Sequence, residues 1–439
     1  MKLPIDFENR MKEMLGEEYE SFYNALLNNP IKSGIRINTL KEGAEEKVIK
    51  EIGERENIPW CNIGYFADKD EISGKHPYHA AGLFYFQEPS AMSAGEGIEI
   101  KEGDYVLDLC AAPGGKSTQI AAKLNGTGLL VSNEIVRKRA EILSENIERM
   151  GIKNAVVTNE SPENLAKKYP HFFDKIIVDA PCSGEGMFRK EPQAVLEWSI
   201  EHTISCASRQ KNILDSAFKM LRPGGYLVYS TCTFARAENE DVAEYVLNNY
   251  DVEICDMPKL SMLTEGFFGM KKARRIFPHR DEGEGHFVVL FHSLYKGEAI
   301  RPVVKEKKAE LKDFKKFADE FLNTDLEGNF VQFGETLYLM PYGIDIDKVK
   351  VIRAGLRLGE LKKNRFEPSE HLALALKKED FKNTFECDFN TALSYLKGNV
   401  TEYDKKGWCA VLYNGYPLGW GKASGGVLKN HYPKHLRLK

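Results

Sequence analysis

The sequence predicts an α/β fold built on a doubly wound, mostly parallel β-sheet between about residues 100 and 295. Strand-like apolar segments recur there and alternate with helical stretches, such as RKRAEILSENIERM, whose apolar residues have helical spacing. Short Gly/Pro breaks separate the two kinds of segment, which is typical of a parallel sheet covered by helices. The candidate strands are YVLDLC (105–110), GLLVSN (128–133), NAVVT (154–158), KIIVD (175–179), GYLVYST (225–231) and HFVVLFH (286–292).

The segments that flank this core differ from it in pattern. The start of the chain is mostly helical and charged, with a strand-like SGIRINTL at 33–40. A charged linker follows the core, a new unit begins near residue 350, and Asn414-Gly415 predicts a β-hairpin close to the end. We therefore expect four domains, which span residues 1–75, 76–295, 296–375 and 376–439.

Composition places the chain among ordinary globular proteins. Its 439 residues suffice for two to four domains, and 42% are hydrophobic while 29% are charged. No apolar run reaches the roughly 18 residues of a membrane span, and the start has no apolar signal core. The eight cysteines lie at least 22 residues apart, without metal-ligand spacing. We expect a cytoplasmic protein with free thiols, no metal and no membrane association.

The segment LDLCAAPGGKSTQIAAKL (107–124) predicts a ligand-binding turn. A strand ends at Cys110, small residues follow, and a helix whose N-terminus favours anionic groups opens near Lys116. A nucleotide-binding P-loop would need glycine at position 110, and G-x-G-x-x-G is absent. Glu134 ends the next strand, where an acid typically binds the ribose of an adenosine cofactor. We interpret the turn as an adenosine-type site, with a purely structural strand–helix turn as the alternative.

Two cysteines follow strands of the predicted sheet. In VDAPCSGEGMFRK (178–190), Asp179 ends a strand and Cys182 stands behind a proline; in LVYSTCTF (227–234), Cys232 ends another. Free cysteines are usually small buried hydrophobes, and we assign that role to Cys206 and Cys255. Because the carboxyl ends of parallel strands meet at one rim, Cys182 and Cys232 are expected to face the cofactor turn as reactive thiols.

Two basic stretches are candidate phosphate-binding segments. The segment 271–288 has no acid between residues 266 and 280 and predicts a phosphate-binding loop, although a solvated loop is the alternative. Its basic residues are Lys271, Lys272, Arg274, Arg275 and Arg280. The tail from 422 to 439 also lacks acids, and Trp420 and Tyr432 are expected to stack on bases. Its basic residues are Lys422, Lys429, Lys434, Arg437 and Lys439.

Together these motifs resemble those of the Nop/Sun-type RNA cytosine-5 methyltransferases. The resemblance rests on CAAPGGKST, DAPCSGEGMFRK, STCTF and RIFPHRDEGEGHF, with IRINTLK (35–41) and YFQEPSAM (85–92) upstream, and covers about residues 30–295. The segment LGWGKASGGVLKNHYPKHLR resembles the RsmF-like branch, which modifies ribosomal RNA. The resemblance implies a class I (Rossmann-like) methyltransferase core, an N-terminal α+β RNA-binding subdomain and a C-terminal PUA-like module of α+β or β-barrel type.

The resemblance also implies the chemistry, which is methyl transfer from S-adenosylmethionine to C5 of cytosine after a thiol adds to C6. By the family pattern Cys232 is the nucleophile and Cys182 assists removal of the C5 proton and release of product. The residues alone leave these two roles open, because DNA cytosine methylases attack from a Pro-Cys motif. Asp179 is expected to hydrogen-bond the pyrimidine edge, with help from Lys116.

The cofactor is expected to contact residues of the turn, the second strand and the third. Where the family carries Asp-Ala against the adenine, this chain has Ser161-Pro162, with Asn159 nearby. The implied cofactor residues are Cys110, Ala111, Ala112, Pro113, Gly114, Gly115, Lys116, Glu134, Arg139, Ser161 and Asp179.

The expected partner is RNA, bound by a monomer. Ribosomal RNA of the small subunit is the preferred substrate, and transfer RNA is the alternative because target choice depends on the flanking domains. An N6-adenine methylase would need Asn/Asp-Pro-Pro-aromatic at 179–182, where this chain has Asp-Ala-Pro-Cys. From a different class, a catalytically inactive RNA-binding factor for ribosome assembly is disfavoured by the intact cysteines and cofactor turn.

Overall fold

The alternating segments of the core form one ten-stranded sheet in the computed structural model, which describes residues 2–67, 71–300, 309–341 and 343–439. Its strands are β5 (Tyr105–Asp108), β6 (Leu129–Asn133), β7 (Ala155–Thr158), β8 (Phe173–Asp179), β9 (Leu221–Thr231), β10 (Val252–Cys255), β11 (Thr264–Glu265), β12 (Arg274–Ile276), β13 (His286–Ser293) and β16 (Val351–Ala354). Its helices are α5 (Ser93–Glu96), α6 (Gly115–Leu124), α7 (Arg137–Arg149), α8 (Pro162–Lys168), α9 (Pro192–Glu197), α10 (Ile200–Met220) and α11 (Glu240–Asn249).

The strand order of this sheet fixes the position of the site. The order is β11-β12-β13-β9-β8-β5-β6-β7-β16, with β10 also paired to β13, and the five strands from β7 to β9 are parallel. From β5 the chain moves outward to β6 and β7, then returns to the other side of β5 at β8. Ligands bind in the crevice at such a reversal, beyond the carboxyl ends of the strands. All six predicted core strands are present, and the predicted fold class is confirmed.

One strand of the core sheet comes from a distant part of the chain. β16 lies beyond residue 350 yet pairs antiparallel with β7, with Val351 opposite Thr158 and Ala354 opposite Val156. The sequence pattern placed this segment in a later unit, because nothing local marks an antiparallel edge strand that returns from far along the chain.

The N-terminal unit carries its own small sheet. Its elements are α1 (Ile5–Leu15), α2 (Tyr19–Asn28), β1 (Gly34–Ile37), α3 (Ala44–Ile52), β2 (Asn57–Ile58), β3 (Cys61–Phe66), α4 (Pro77–Ala80) and β4 (Phe84–Phe86), with strand order β2-β3-β1-β4. The buried Arg36 of β1 donates to Gln87 Oε1 at 2.9 Å, Gly115 O at 3.0 Å and Thr118 Oγ1 at 2.6 Å. This fully buried guanidinium docks the unit on the start of α6.

Two further sheets follow the core. The first unit contains α12 (Lys312–Phe321), β14 (Asn329–Phe333), β15 (Thr336–Met340), β17 (Leu356–Lys362), β18 (Arg365–Pro368) and α13 (Glu370–Leu374). The last contains β19 (Thr384–Cys387), α14 (Phe389–Leu396), β20 (Thr401–Glu402), β21 (Gly407–Tyr413), β22 (Tyr416–Ser424) and β23 (Val427–Asn430). The predicted hairpin is confirmed: Asn414 and Gly415 connect β21 to β22 with φ of 48° and 84°.

The expected stacking role of Trp420 and Tyr432 is wrong. Trp420 is 2% exposed and lies in an apolar cluster of the two C-terminal units, whereas Tyr432 is 7% exposed and lies in a cluster shared by the last unit and the N-terminal unit. Trp420 Nε1 donates to Ser369 O at 2.8 Å, so the indole joins the last unit to the one before it. Both rings therefore belong to buried contacts between units rather than to a surface on which bases could stack.

The expected phosphate-binding role of the arginines in 271–280 is also wrong. Arg275 is 1% exposed and donates from Nε and Nη2 to the two carboxylate oxygens of Glu240, at 2.8 and 2.5 Å. Arg274 donates to backbone carbonyls, and Arg280 pairs with Glu18 of the N-terminal unit at 2.5 Å. The acids that balance these charges come from other parts of the chain.

Two further sequence expectations concern membranes and thiols. Among the described residues, no helix combines the length and apolar character that crossing a membrane requires. All eight cysteines are free thiols; Cys206 is buried, as expected, whereas Cys255 is only half-buried.

We expect Arg275→Met to lower the free energy of unfolding by about 3–5 kcal/mol, because Glu240 would remain as a buried carboxylate without its partner. Urea denaturation measures this change. Lys272→Ala is the control, since Lys272 contacts Asp256 only at the surface, at 3.6 Å, and its removal should cost less than about 1 kcal/mol. Equal effects of the two substitutions would contradict the role assigned to Arg275.

Candidate active site

The two predicted thiols lie side by side because their strands are neighbours in register. β8 and β9 are parallel, and Asp179 lies opposite Ser230. Cys182 follows three residues after Asp179, and Cys232 two residues after Ser230. Their Sγ atoms are 3.2 Å apart. The rim of the sheet thus presents a pair of sulfur atoms rather than one.

A buried carboxylate ties together the two loops that carry the thiols. Glu185, three residues after Cys182, accepts a hydrogen bond from the backbone N–H of Phe234, two residues after Cys232, at 3.0 Å. It also accepts from Trp198 Nε1 at 2.7 Å and from Arg10 Nη2 of α1 at 2.5 Å. The side chain of Glu185 is fully buried. The N-terminal helix therefore contributes directly to the position of the thiols.

A second buried carboxylate, that of Glu238, also connects the two loops, because Glu238 follows Cys232 and bonds to the residue next to Cys182. Glu238 accepts from the backbone N–H of Ser183 at 2.9 Å, from Ser183 Oγ at 2.5 Å and from Gln210 Nε2 of α10 at 3.0 Å. Burial raises the pKa of Glu238, although these hydrogen bonds act against that shift. Between them, Glu185 and Glu238 leave the thiol loops little freedom to separate.

The environment of Cys182 favours its protonated form. Its hydrogen bond with Cys232 and its burial raise the pKa of the Cys182 thiol well above the ordinary value, and the nearby Glu238 adds to the effect. A protonated Cys182 can donate its S–H to Cys232 Sγ. The distance between the two sulfur atoms allows either one to donate, and the raised pKa of Cys182 favours a neutral thiol at that position.

Asp179 and Lys116 form an ion pair next to the thiols. Lys116 Nζ lies 2.6 Å from Asp179 Oδ2, Ser230 Oγ donates to Asp179 Oδ1 at 2.7 Å, and His286 Nε2 is 3.5 Å from the same oxygen. Burial alone would raise the pKa of Asp179, but the Lys116 charge and the His286 interactions outweigh it, so the pKa is lowered. Asp179 is therefore an ionised acceptor with part of its surface open to the site.

The predicted cofactor turn runs from the end of β5 to α6. Gly114 has φ of 117°, in the left-handed region that favours glycine, and it immediately precedes the helix. The backbone of the turn is held by Asn146, which donates to Pro113 O at 2.9 Å, and by Arg139, which donates to Ala112 O at 2.9 Å. Burial raises the pKa of Cys110, so this thiol is a neutral part of the turn.

Glu134 lies at the end of β6 beside this turn. The residue is 3% exposed, its Oε1 accepts from the backbone N–H of Val136 at 2.9 Å, and Arg139 Nη1 is 3.3 Å from Oε2. The short hydrogen bond fixes one oxygen of the carboxylate. Such a rigid acceptor at the end of the second strand matches the position in which an acid binds ribose hydroxyls.

One cavity of about 740 Å³ brings most of the predicted residues together. Those that line it are Cys110, Ala112, Glu134, Arg139, Asp179, Cys182 and Cys232. Lys116 does not line the cavity itself, but its ammonium group pairs with Asp179, which does. The lining also does not include Ala111, Pro113, Gly114, Gly115 or Ser161.

Ser161 performs a local structural task. Its Oγ accepts from the backbone N–H of Asn164 at 3.3 Å, which caps the start of α8. Asn159 donates to the carbonyls of Glu134 and Ile135, at 2.7 and 2.8 Å. Next to them, Pro162 and Ile135 line the cavity and offer apolar surface where the family pattern predicts the adenine.

Sequence reasoning missed several residues of this site. Glu185 and Glu238 fix the thiol loops, His286 contacts Asp179, and His202 and Arg209 of α10 line the far wall of the cavity. Arg209 Nη2 is 3.1 Å from the sulfur of the buried Cys206. Of these, Glu185 could have been found, because it is the only acid of the SGEG loop that follows Cys182. The others come from separate segments without any local pattern.

Four family models match successive parts of the chain. The model described as 16S rRNA methyltransferase RsmB/F matches residues 97–292, which contain the cavity and both thiols. The N-terminal domain of 16S rRNA methyltransferase RsmF matches 3–89. The RsmF first C-terminal domain matches 316–376, and the RsmF PUA domain matches 382–438.

Curated relatives align with almost the whole chain. The ribosomal RNA small subunit methyltransferase F of Vibrio vulnificus is 32% identical, with 99% of this chain and 97% of the relative covered. The protein of the same name from Escherichia coli is 33% identical, with 99% and 96% covered.

Solved structures share the core of the fold. A methyltransferase homolog from Pyrococcus horikoshii is 28% identical with a TM-score of 0.58, covering 66% of this chain and 94% of its own. NSun6 from the same organism, solved with SFG, is 23% identical with a TM-score of 0.59, covering 67% of this chain and 99% of its own, which supports the fold alone. On the identity and coverage of the curated relatives, and on the order of the four matched domains, the chain belongs to the RsmB/F family of 16S rRNA methyltransferases.

Proposed function

We propose that this protein methylates C5 of cytosine in 16S ribosomal RNA, with S-adenosylmethionine as the methyl donor and a covalent enzyme–RNA adduct as intermediate. The observation that carries the proposal is the pair of sulfur atoms, 3.2 Å apart, at the wall of a cavity that is also lined by Glu134 and by Cys110 and Ala112 of the cofactor turn. A single thiol could attack the base, but two adjacent thiols allow attack and release to be divided between them.

A thiol is needed because C5 of cytosine is a poor nucleophile. The Cys232 thiolate adds to C6, and the electron pair of the 5,6 double bond then makes C5 enamine-like and nucleophilic. S-adenosylmethionine supplies an electrophilic methyl group on a sulfonium centre. Transfer of the methyl group to C5 releases the donor's sulfur as a neutral thioether. Solvent water then accepts the C5 proton, the electron pair of the broken C–H bond restores the double bond as the C6–S bond breaks, and the Cys232 thiolate is regenerated.

The two thiols are suited to different steps of this sequence. Cys182 keeps its proton because the hydrogen bond with Cys232 and burial raise its pKa. Its S–H can donate a hydrogen bond to the Cys232 thiolate before attack, and again to the departing Cys232 sulfur when the adduct is resolved. These contacts support Cys232 as nucleophile and Cys182 as the residue that assists release; the help of Cys182 in deprotonation, which the resemblance implies, remains a prediction.

Asp179 and Lys116 are suited to hold the pyrimidine edge. The ionised Asp179 carboxylate can accept from the exocyclic amine of cytosine, a donor that uracil lacks. The Lys116 ammonium, 2.6 Å from that carboxylate, provides positive charge where negative charge develops on the ring during attack. This arrangement favours cytosine over uracil.

The residues of the cavity fit S-adenosylmethionine. The cavity of about 740 Å³ has room for the donor and a base, within the range of ordinary ligand pockets. We assign the ribose to Glu134, the adenine to the apolar surface of Ile135 and Pro162, and the amino-acid end to the turn from Cys110 to Lys116. Ser161 and Asn159 are already engaged in local hydrogen bonds, so the adenine contact of the family pattern shifts to their neighbours.

The named relatives favour ribosomal over transfer RNA as the substrate. Both are small-subunit ribosomal RNA methyltransferases by name, and this chain retains all four of the matched domains, including the PUA domain. RNA is thus the proposed partner. Action as a monomer in the cytoplasm and the four domain boundaries of the sequence analysis remain predictions.

We expect the two thiols to fail at different steps. Cys232→Ala should form neither an RNA adduct nor product, because no thiolate remains to add to C6. Cys182→Ala should still attack but release product poorly, so that protein stays linked to 16S rRNA. Denaturing gel electrophoresis of protein incubated with RNA and S-adenosylmethionine detects the adduct.

Cys255→Ala is the matched control for this experiment, since that thiol is half-buried and lies outside the cavity, and it should behave like the unaltered protein. An adduct with Cys232→Ala and none with Cys182→Ala would reverse the assignment of roles.

We expect Glu134→Ala to weaken S-adenosylmethionine binding by about 1–3 kcal/mol, through the loss of hydrogen bonds to a charged group. Isothermal titration calorimetry without RNA measures this affinity. Glu141→Ala is the control, because Glu141 pairs with Arg137 on the surface of α7 at 2.8 Å and is absent from the lining of the cavity. An unchanged affinity in Glu134→Ala would remove this residue from the cofactor site.

A further inference from the structure

A second large cavity, of about 970 Å³, lies at the end of the core sheet opposite the thiols. The core domain contributes Asn125 and Gly126, which follow α6, and Lys153, which precedes β7, to the lining of this cavity. The thiols lie at the carboxyl ends of the strands, so this cavity is at the amino ends. Residues 40–42 of the N-terminal unit and 414–417 of the last hairpin complete it, together with 374–380.

Two lysines of this cavity, Lys41 and Lys153, form no ion pair with a described acid, although Asp380 in the same lining acts on Lys153 from a greater distance. Among the residues that the structure describes, no carboxylate forms an ion pair with Lys41 or Lys153, whereas Lys377 pairs with Glu42 at 2.8 Å and Lys378 with Glu386 at 3.3 Å. Lys41 Nζ donates a hydrogen bond to Leu374 O, which leaves its other two N–H groups available. Both lysines line the same cavity.

The backbone of Gly151 and Leu374 lies close to the Lys41 amine. Gly151 has φ of 70°, and a Cβ at this position would lie 2.5 Å from Leu374 O and 3.2 Å from Lys41 Nζ. Burial lowers the pKa of Lys41 to about 7, and the charge of Lys153 contributes to this shift. Two neighbouring cations that repel each other favour a bound anion between them.

We propose that Lys41 and Lys153 bind a backbone phosphate of the RNA substrate, at a second contact remote from the target cytosine. The inference rests on the proposed function, since it concerns where the same RNA lies on the protein. Phosphate fits the site because an anion would satisfy the free N–H groups of Lys41 and offset the repulsion between the two charges. RNA that reaches this cavity contacts the N-terminal unit, the core and the last hairpin at once.

The alternative is that Lys41 only joins the N-terminal unit to the carbonyl of Leu374. That role requires no charge at Lys153, which is exposed and forms no ion pair with a described acid. Substitutions of Lys153 therefore separate the two explanations, because they alter the charge of the cavity without removing the hydrogen bond to Leu374.

The experiment compares RNA binding across a salt series for the full-length protein and for Lys153→Met, Lys153→Arg and Lys41→Met. Each methionine variant should weaken binding and reduce the slope of log K against log salt concentration by roughly 1, the effect of losing one phosphate contact. Lys153→Arg should retain the slope. Lys219→Met, a change of an exposed lysine near the end of α10, is the matched control and should leave the slope unaltered.

Two further measurements complete the design. Melting temperature and S-adenosylmethionine affinity show whether each variant is folded; if Lys41→Met is not, the Lys153 variants decide. A titration with millimolar inorganic phosphate tests for a site that takes free anions. Stabilisation by phosphate that Lys153→Met abolishes, together with an unchanged RNA salt slope, would overturn the assignment to RNA.

Two other results would count against the phosphate site or against the proposed function. Equal RNA slopes in all variants without any phosphate effect would overturn the site altogether. Methylation of 16S rRNA by the unaltered protein is recorded in parallel, so that failure of the phosphate site with intact methylation leaves the proposed function standing. If the unaltered protein does not methylate 16S rRNA, the proposed function is rejected instead.

Discussion

The site depends on the register between β8 and β9. Because Asp179 lies opposite Ser230, the chain segments that leave the two strands deliver Cys182 and Cys232 to the same place. The strand ends alone would leave two mobile loops, and the buried Glu185 and Glu238 remove that freedom by hydrogen bonds to backbone and side-chain donors of both loops. Charge-assisted hydrogen bonds in a dry interior are strong enough to hold such loops in place.

This constraint extends beyond the core domain. Glu185 accepts from Arg10 in the first helix, and Arg36 in the first small sheet holds the start of α6, where the cofactor turn ends. Arg10 thus contacts the loop that carries Cys182, and Arg36 contacts the end of the cofactor turn. The N-terminal unit therefore shapes the catalytic cavity as well as any RNA surface of its own, and its loss would disturb the thiols and the turn together.

The sequence was sufficient for the parts of the fold that have a local signature. Apolar strands, helical spacing and the residues at strand ends predicted the core sheet, the hairpin at Asn414-Gly415 and the meeting of the two thiols. It was insufficient where the partner of a residue comes from a distant segment. Arg275 appeared free to bind phosphate because its acid, Glu240, lies 35 positions away. Trp420 appeared available for stacking because the rings that pack against it, Phe317 and Phe381, come from segments far back along the chain.

The antiparallel strand β16 has a consequence for how the protein forms. Until residue 354 has left the ribosome, the outer edge of β7 has no partner, and its unpaired N–H and C=O groups are open to wrong pairing. Long-range pairing of this kind slows folding. The nascent methyltransferase core thus remains incomplete while nearly 200 further residues are synthesised. During that interval the β7 edge must be covered by another part of the cell's machinery if wrong pairing is to be prevented.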